Sequence, residues 1–148
     1  MALSTIERVL FLRGVELFGQ IPGEDLVHVA QVCEEVHFDA GTQFITQGDM
    51  GDCLYILVDG EVDIAIEGVG VILHRVSKNI IGEMAIISRN PRSAHCIAKT
   101  DMTALKIGYD VFWNLMEEKP ILALGVMRVL SQRLDEANKN LRRLGASQ

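Results

Sequence analysis

Basic residues are in the minority in this sequence, which has 14 lysines and arginines against 20 aspartates and glutamates and a formal net charge of −6. A nucleic-acid-binding domain more often carries a basic face, so the charge argues against that class of partner. An anionic small molecule is not excluded, because its site needs local hydrogen-bond donors rather than a positive field over the whole protein. The 148 residues, 49% of them hydrophobic, suffice for the core of one domain.

Cysteines and long apolar runs are also scarce. The three cysteines, Cys33, Cys53 and Cys96, are widely spaced and form no Cys-x-x-Cys motif, which indicates reduced thiols in a cytosol-like compartment. No segment approaches the roughly 20 apolar residues of a membrane span. The N-terminus lacks the basic segment, apolar core and cleavage site of a signal peptide. We therefore expect a cytoplasmic location and no membrane span.

Motifs for catalysis and for metal binding are missing as well. The sequence has no Gly-x-Ser-x-Gly nucleophile elbow and no phosphate loop that ends in Gly-Lys-Ser or Gly-Lys-Thr. The four histidines, His28, His37, His74 and His95, lack the close His-x-His spacing of a metal-binding jelly roll. We find no catalytic constellation, and we expect a protein that is not an enzyme and holds no metal or cofactor.

The segment 82–94, with the sequence GEMAIISRNPRSA, is the most informative stretch of the chain. Gly82 lets the backbone approach a ligand closely, and Glu83 to Ile87 can form one helical turn whose free N–H groups point at an anion. Arg92 supplies a planar fork of donors that matches two phosphate oxygens, while Glu83 can accept a hydrogen bond from a hydroxyl. These residues predict a ligand with a hydroxyl group and an anionic phosphate.

A second motif, QGDMGDCLY at 47–55, lies upstream and runs directly into ILVDGEVDI. Together the two motifs resemble the cyclic nucleotide-binding domain family, which includes the ligand domains of the catabolite activator protein and of the protein kinase A regulatory subunit. The family places Gly-Asp-x-Gly-Asp-x-x-Tyr at the first motif. At the second it has Gly-Glu-aliphatic-small-aliphatic, a short turn and Pro-Arg-small-Ala, and this sequence matches without insertion or deletion. The resemblance extends from about Val15 to about Leu134.

The resemblance implies roles for the residues of this phosphate-binding cassette. Arg92 would neutralise the cyclic phosphate, Glu83 would accept a hydrogen bond from the ribose 2′-hydroxyl, and Gly82 would allow the close approach. Backbone N–H groups near Ala85 and Ser93 would add to the phosphate contacts. The implied ligand-binding residues are Gly82, Glu83, Met84, Ala85, Arg92, Ser93 and Ala94. The implied ligand is a cyclic nucleotide, cyclic AMP or cyclic GMP.

The residues after Arg92 bear on the choice of base. In this family a threonine directly after the cassette arginine is often associated with cyclic GMP, and here the residue is Ser93, which favours cyclic AMP. His95 stands where many members have threonine or serine, at a position often linked to base contacts. If the strand begins at Ser93, alternation places Ser93 and His95 on one face and Ala94 on the other. His95 is therefore either a base contact or a solvated strand residue.

The order of elements along the chain is helix, sheet, helix. Ser4 to Glu7 forms a capping box that opens a short helix, and Gly14 ends it. Short apolar strands separated by glycines follow from about Glu35, and Asp59-Gly60 between two of them is typical of a two-residue hairpin. Helix returns at Asp110, which we expect to be the N-cap.

The predicted fold class is α+β, mainly β, and many short strands with glycine turns favour a jelly-roll-like sheet arrangement. The resemblance makes it an eight-stranded β-roll, flanked by N-terminal helices and a long C-terminal helix. The predicted boundaries are 1–34 for the N-terminal helical segment, 35–109 for the β-roll with the cassette at 81–94, and 110–148 for the C-terminal helices. All three parts belong to one predicted cyclic nucleotide-binding domain.

The last helix carries a continuous apolar stripe. Its apolar residues alternate at spacings of four and three, which is the heptad pattern of a coiled coil: Ala123, Met127, Leu130, Leu134, Ala137, Leu141 and Leu144. Around Met127 and Leu130 we expect the stripe to pack on the roll. Beyond Asp135, where polar residues flank it, we expect the stripe to pair with a second copy. The predicted homodimer contacts are Leu134, Leu141 and Leu144.

The same helix is a lid according to the resemblance, because it would close over the bound base. Leu130, Arg133 and Leu134 are the candidate lid residues. A ligand shifts such an element only by the difference between its affinities for the two positions.

The leading interpretation is thus a non-enzymatic regulatory domain of signal transduction that binds a cyclic nucleotide. A transcription regulator of the catabolite-activator type would need a helix-turn-helix after the long helix, and none follows up to Gln148, so no nucleic-acid partner is expected. The chain could instead be a regulatory module of a larger transporter, channel or kinase. It could also be an interaction domain that keeps the fold and binds no cyclic nucleotide, although Glu83 and Arg92 together argue for a functional pocket.

Overall fold

The computed structural model describes residues 2–146, and of Ala85, Ile86 and Ala146 it describes the backbone alone. The fold begins with α1 (Thr5–Arg13), a short 3-10 turn (Glu16–Phe18) and α2 (Gly23–Val32). Ser4 Oγ accepts a hydrogen bond from the Glu7 N–H (3.1 Å), and the Glu7 carboxylate accepts one from the Ser4 N–H (3.0 Å). The predicted capping box is therefore present, and Gly14 ends α1 as predicted.

Eight strands follow and form two antiparallel four-stranded sheets, which confirms the predicted β-roll. The strands are β1 (Glu34–Phe38), β2 (Gln43–Ile45), β3 (Cys53–Asp59), β4 (Val62–Ile66), β5 (Gly70–Arg75), β6 (Ile80–Ile81), β7 (His95–Ala98) and β8 (Met102–Gly108). The first sheet has the order β1-β8-β3-β6 and the second has the order β2-β7-β4-β5. The cassette leaves the first sheet after β6 and enters the second at β7.

The Asp59-Gly60 turn crosses from one sheet to the other, so the predicted hairpin is wrong. Strand β3 lies in the first sheet and β4 in the second, and the two strands do not pair. Gly60 has a φ of +100°, and a β-carbon there would lie 2.5 Å from the Asp101 carbonyl oxygen. The Glu61 N–H then donates to Thr100 Oγ1 (3.0 Å). These contacts with the β7–β8 connection direct the chain away from β3.

Strand β3 carries the core on both of its faces, because nearly all its residues are apolar. Leu54 and Ile56 pack against the helices in one buried cluster, together with Phe112. Tyr55 and Leu57 belong to the second buried cluster, which fills the space between the two sheets. Because side chains alternate along a strand, one face of β3 packs against the helices and the other face lies in the space between the two sheets.

Two helices end the fold, α4 (Tyr109–Glu118) and α5 (Ile121–Ala146). The N-cap of α4 is Gly108 and not Asp110, which lies in the first turn. The helix begins earlier than predicted because the Tyr109 N–H donates to the Asp52 carbonyl oxygen (2.6 Å) directly after β8. None of the helices within residues 2–146 is both long enough and apolar enough to cross a membrane.

Helix α5 packs on the fold through Leu122, Gly125 and Val129. Leu122 and Val129 are 1% and 5% exposed, and a β-carbon at Gly125 would lie 2.4 Å from the Leu17 carbonyl oxygen. Met127 was expected to pack on the roll, but it is 61% exposed. The contact at Gly125 fixes which face of α5 is buried, and Met127 lies on the opposite side.

Candidate functional site

A cavity of about 490 Å³ lies between the second sheet, the cassette and α5. Its volume falls within the usual range for small-molecule sites. Apolar side chains of β2, β4 and β5 cover one side, among them Ile45, Ile64, Ile66, Ile72 and Leu73. The other side includes Arg75 of β5, the cassette residues Gly82, Glu83, Met84, Arg92, Ser93 and Ala94, and the α5 residues Arg133, Glu136, Ala137 and Asn140. Such a cavity suits a ligand with one apolar end and one polar end.

Gly82 joins β6 to the short helix α3 (Glu83–Ser88) in a conformation that favours glycine. Its φ is +88°, and a β-carbon at this position would lie 2.4 Å from Nη1 of Arg92 and 3.3 Å from the Cys53 carbonyl oxygen. Gly82 is therefore needed twice: for the turn itself and for the space that the arginine occupies.

Arg92 is buried, with 9% of its surface exposed, and its guanidinium lies in the cavity. Nη1 donates to the Gly82 carbonyl oxygen (3.1 Å) and Nη2 donates to the Cys53 carbonyl oxygen (2.7 Å). No carboxylate within the described residues forms an ion pair with it. A buried cation is costly unless an anion neutralises it, so this geometry leaves a positive charge ready for an anionic ligand.

The loop of the upstream motif holds the backbone of Arg92 in place. The Gly48 N–H donates to the Arg92 carbonyl oxygen (2.9 Å), and the Arg92 N–H donates to the Asp49 carbonyl oxygen (2.7 Å). Met50 and Pro91 form an isolated bridge beside these bonds. The two sequence motifs are thus parts of one structural unit, in which the first positions the arginine of the second.

Glu83 lies at the start of α3 and is held from above by α5. Its Oε1 accepts a hydrogen bond from Nε of Arg133 (2.8 Å), and Nη2 of Arg133 also donates to the Ile80 carbonyl oxygen (2.6 Å). The side chains of Glu83 and Arg133 are 14% and 22% exposed. The structure therefore brings the predicted hydroxyl acceptor and one predicted lid residue into direct contact.

Arg75 and Glu136 form a second ion pair between the roll and α5, and sequence reasoning missed both residues. Nη1 of Arg75 lies 2.9 Å from Oε2 of Glu136, and Nη2 lies 3.0 Å from Oε1. This bidentate contact lowers the pKa of the Glu136 carboxyl below its ordinary value, with a smaller contribution from Arg133. Arg75 and Arg92 are the buried arginines of the described chain, and they differ in that Arg75 has a carboxylate partner.

The charges of the cavity leave a small positive excess. Its ionisable acidic and basic side chains within the described residues are Arg75, Arg92, Arg133, Glu83 and Glu136. The thiol of Cys96 also lines the cavity, and burial raises its pKa to about 12, so it stays neutral. Because the glutamates are paired with Arg75 and Arg133, the positive excess is at Arg92.

The other predicted site residues differ in their placement. Met84, Ser93 and Ala94 line the cavity, whereas the side chain of Ala85 lies outside the described part of the chain. His95, Leu130 and Leu134 are not among the lining residues. Nδ1 of His95 accepts a hydrogen bond from the Gln47 N–H (3.0 Å), and Nε2 contacts the Glu67 carboxylate (2.8 Å). Strand β7 begins only at His95, so the alternation expected from Ser93 onwards is absent there, and Ser93 and Ala94 both line the cavity. Within the strand, Cys96 lines the cavity and His95 does not.

The face of α5 that lines the cavity is polar, which explains why the lid residues were only partly found. Residues 133, 136, 137 and 140 share one helical face through their spacings of three and four. The prediction followed the apolar stripe instead, and Leu134 is 64% exposed. Once Arg133 is placed, helical periodicity alone would have indicated Glu136 and Asn140.

Comparison with known proteins adds sequence evidence to this geometry. The model of the family named cyclic nucleotide-binding domain matches residues 35–119. A cAMP-dependent protein kinase regulatory subunit of Eremothecium gossypii is 31% identical over 106 residues. That alignment covers 72% of this chain but 23% of the relative, so the chain spans about a quarter of that protein's length.

Solved structures with the same fold include a catabolite activator protein and a protein kinase A regulatory subunit. The Thermus thermophilus catabolite activator protein has a TM-score of 0.78 at 24% identity, with 88% of this chain and 63% of that chain covered. The regulatory subunit of a cAMP-independent protein kinase A from Trypanosoma brucei has a TM-score of 0.75 at 19% identity, with 96% and 53% covered. At these identities the likeness shows the fold alone.

Proposed function

Because this chain belongs to the cyclic nucleotide-binding domain family, we propose that its cavity binds a cyclic nucleotide and that cyclic AMP is the preferred ligand. The chain is then a regulatory domain of signal transduction whose activity is ligand binding and not catalysis. The proposal extends to this chain what the name of its Eremothecium gossypii relative says of that protein, which is dependence on cAMP.

The observation that carries the proposal is the buried guanidinium of Arg92, which has carbonyl oxygens but no carboxylate as partners among the described residues. A cyclic phosphate carries one negative charge and supplies the missing anion. The planar fork of an arginine can donate two parallel hydrogen bonds to two phosphate oxygens. Binding would therefore neutralise a charge that folding has already buried, and this favours an anionic ligand over a neutral one.

Glu83 is the acceptor for the ribose 2′-hydroxyl in this proposal. Its carboxylate already accepts from Nε of Arg133, but a carboxylate offers about four acceptor positions on its two oxygens. Arg133 and a ribose hydroxyl can therefore share it. A ligand bound to Glu83 would therefore also affect the contact of Glu83 with Arg133, and through it the position of α5.

The base would lie against the apolar side of the cavity. Isoleucines of β4 and β5 line that side, and Ser93 of the cassette also lines the cavity. We infer a preference for cyclic AMP over cyclic GMP because Ser93 replaces the threonine associated with cyclic GMP. A competition titration checks this preference, and Ser93→Thr should move the ratio toward cyclic GMP. A titration in which cyclic GMP wins on the wild-type protein would reverse the assignment.

The exposed stripe of α5 supports the second part of the proposal, a homodimer. Met127, Leu134 and Leu141 recur at intervals of seven residues and are 61%, 64% and 65% exposed. A stripe with this spacing is typical of a coiled-coil contact. Pairing with a second copy would bury it without disturbing Arg133 and Glu136, which face the cavity.

Isothermal calorimetry tests the proposed ligand directly. We expect cyclic AMP to bind at one site per chain and 5′-AMP to bind more weakly, because among the described residues of the cavity a single cation, Arg92, lacks a carboxylate partner. Cyclic GMP and a cyclic dinucleotide complete the series. If none of the cyclic nucleotides binds to the folded protein, the chain is the alternative named above, a domain that keeps the fold without the ligand.

A further inference from the structure

We propose that Arg75 and Glu136 form a latch that holds α5 against the β-roll and thereby limits the rate at which a ligand enters and leaves the cavity. The kinetic part rests on the proposed function. The structural part does not, because both partners of the contact are residues of this chain.

The latch joins a rigid point to a movable one. Arg75 is a residue of β5 with 10% of its side chain exposed, and Glu136 is a residue of α5 with 37% exposed. Nη1 of Arg75 donates to Oε2 of Glu136 (2.9 Å) and Nη2 donates to Oε1 (3.0 Å). A bidentate charge-assisted contact of this kind is stronger and more specific in geometry than a single ion pair.

The latch lies far along α5 from the point where the helix packs on the rest of the fold. Gly125 is fixed against the Leu17 backbone, where a β-carbon would lie 2.4 Å from the carbonyl oxygen. Glu136 lies 11 residues further on, which corresponds to about 16 Å of helix. Beyond the latch, Leu141 is 65% exposed. The helix is thus held at Gly125 and again at the cavity, and release at the cavity would let the distal part swing.

The ion pair between Arg133 and Glu83 also joins α5 to the rest of the fold, but unlike the latch it includes a residue that the proposed function assigns to the ligand. Arg133 binds Glu83, the carboxylate that the proposed function assigns to a ribose hydroxyl, so that contact must adjust to the ligand. Arg75 is outside the cassette and its partner lies one helical turn after Arg133. Opening of α5 would break both charge-assisted hydrogen bonds of the latch, and their loss opposes the opening.

Glu136→Gln is the main test variant, because it removes the charge and keeps the size of the side chain. Asp135→Asn is its matched control: Asp135 is the neighbouring residue of α5, and its ion pair with Lys139 (3.1 Å) is exposed at 63% and 69%. Arg75→Lys keeps the charge but loses the planar fork. The charge reversal Arg75→Glu with Glu136→Arg restores the pairing in the opposite direction.

Hydrogen exchange of the α5 amides, measured without nucleotide, tests whether the latch holds α5 against the β-roll. We expect exchange in the part of α5 after residue 130 to be about threefold or more faster in Glu136→Gln than in Asp135→Asn, and intermediate in Arg75→Lys. The charge reversal should recover most of the protection. Stopped-flow mixing with a fluorescent cyclic AMP analogue should show association and dissociation both accelerated in Glu136→Gln.

The two measurements separate this proposal from the proposed function. Equal α5 exchange in Glu136→Gln and Asp135→Asn would overturn the latch, whether or not a nucleotide binds. Faster exchange with no nucleotide binding by the wild-type protein would keep the latch and end the proposed function. Slower or unchanged nucleotide kinetics with faster exchange would overturn the kinetic part. If Glu136→Gln fails to fold, Arg75→Lys and the charge reversal decide by the same comparison with Asp135→Asn.

Discussion

Gly82 and Arg92 share one small volume: a β-carbon at position 82 would lie 2.4 Å from Nη1 of Arg92. The glycine also accepts a hydrogen bond from that nitrogen through its carbonyl oxygen (3.1 Å). The two residues, ten positions apart, therefore form one device that places a guanidinium in the cavity. Any other residue at position 82 would strain the turn and displace the arginine.

Arg92→Leu should abolish cyclic nucleotide binding and leave the protein folded. The change removes the cation that would meet the phosphate, and loss of two hydrogen bonds to carbonyl oxygens should lower the free energy of unfolding by less than about 3 kcal/mol. Arg89→Leu is the matched control, because Arg89 lies in the same segment but stacks on Tyr109 instead of lining the cavity. Calorimetry with cyclic AMP and a thermal melt make the comparison. Wild-type affinity in a folded Arg92→Leu variant would refute the phosphate role.

The cassette could be predicted from sequence because its parts are contiguous. Gly82, Glu83 and Arg92 lie within one short segment, and the chemistry of each type indicates its role. The partners from other elements could not be predicted in the same way. Arg75 and Glu136 are 61 residues apart, and no local pattern joins a strand residue to a helix residue across a cavity.

Two further predictions were wrong because they depend on packing between distant segments. The Asp59-Gly60 pair has the composition of a hairpin, yet the close approach of Gly60 to Asp101 sends the chain to the other sheet. The heptad stripe of α5 was found, but its orientation was not, because it depends on the contact between Gly125 and Leu17. Both errors concern close backbone contacts between segments far apart in sequence. The strand number came from the family resemblance, and the two sheets agree with it.

Glu83→Ala should weaken cyclic AMP binding less than Arg92→Leu does, since it removes a hydroxyl contact and not the phosphate contact. A hydrogen bond to a charged group contributes about 1.5–3 kcal/mol, so we expect a loss of about tenfold to a hundredfold in affinity. Discrimination between cyclic AMP and its 2′-deoxy analogue should disappear. The two ligands are titrated against both proteins, and an equal loss for both would show that Glu83 acts only through Arg133.

The ion pair of Glu136 should make stability depend on pH in a defined direction. Its hydrogen bonds with Arg75 lower its pKa below the ordinary value of 4.5, so the pair stabilises the fold above that pH and is lost as the pH falls through the lowered value. At about pH 7 Glu136→Gln should unfold more easily than the wild type, by less than about 1 kcal/mol. Urea denaturation at several pH values should show this gap closing in acid. If the difference in unfolding free energy between the two proteins stayed the same in acid, the charge of Glu136 would not be the source of the stabilisation.

Two glycines of α5 should respond oppositely to the same substitution. Gly125→Ala places a methyl group against the Leu17 backbone, at 2.4 Å from the oxygen, and overpacking of this kind costs about 1–3 kcal/mol. Gly145→Ala meets no atom within 4 Å and should stabilise the helix, by up to about 1 kcal/mol. Thermal melts of both variants test the pair. If Gly125→Ala were as stable as Gly145→Ala, the close contact between α5 and the 3-10 turn would not exist in solution.

The exposed stripe of α5 predicts that the protein is a homodimer in solution. Leu134 and Leu141 are 64% and 65% exposed, and burial of one leucine contributes about 1.5–3 kcal/mol. Leu134→Asp combined with Leu141→Asp should therefore give a monomer, and it should still bind cyclic AMP because neither side chain lines the cavity. Gln132→Glu is the control, since it adds a negative charge to the same part of the helix on the side opposite Leu134 and Leu141. Sedimentation velocity at tens of micromolar makes the measurement. A wild-type monomer there would remove the dimer and leave α5 as a lid alone, whereas a dimer that survives both aspartates would place the contact on another surface.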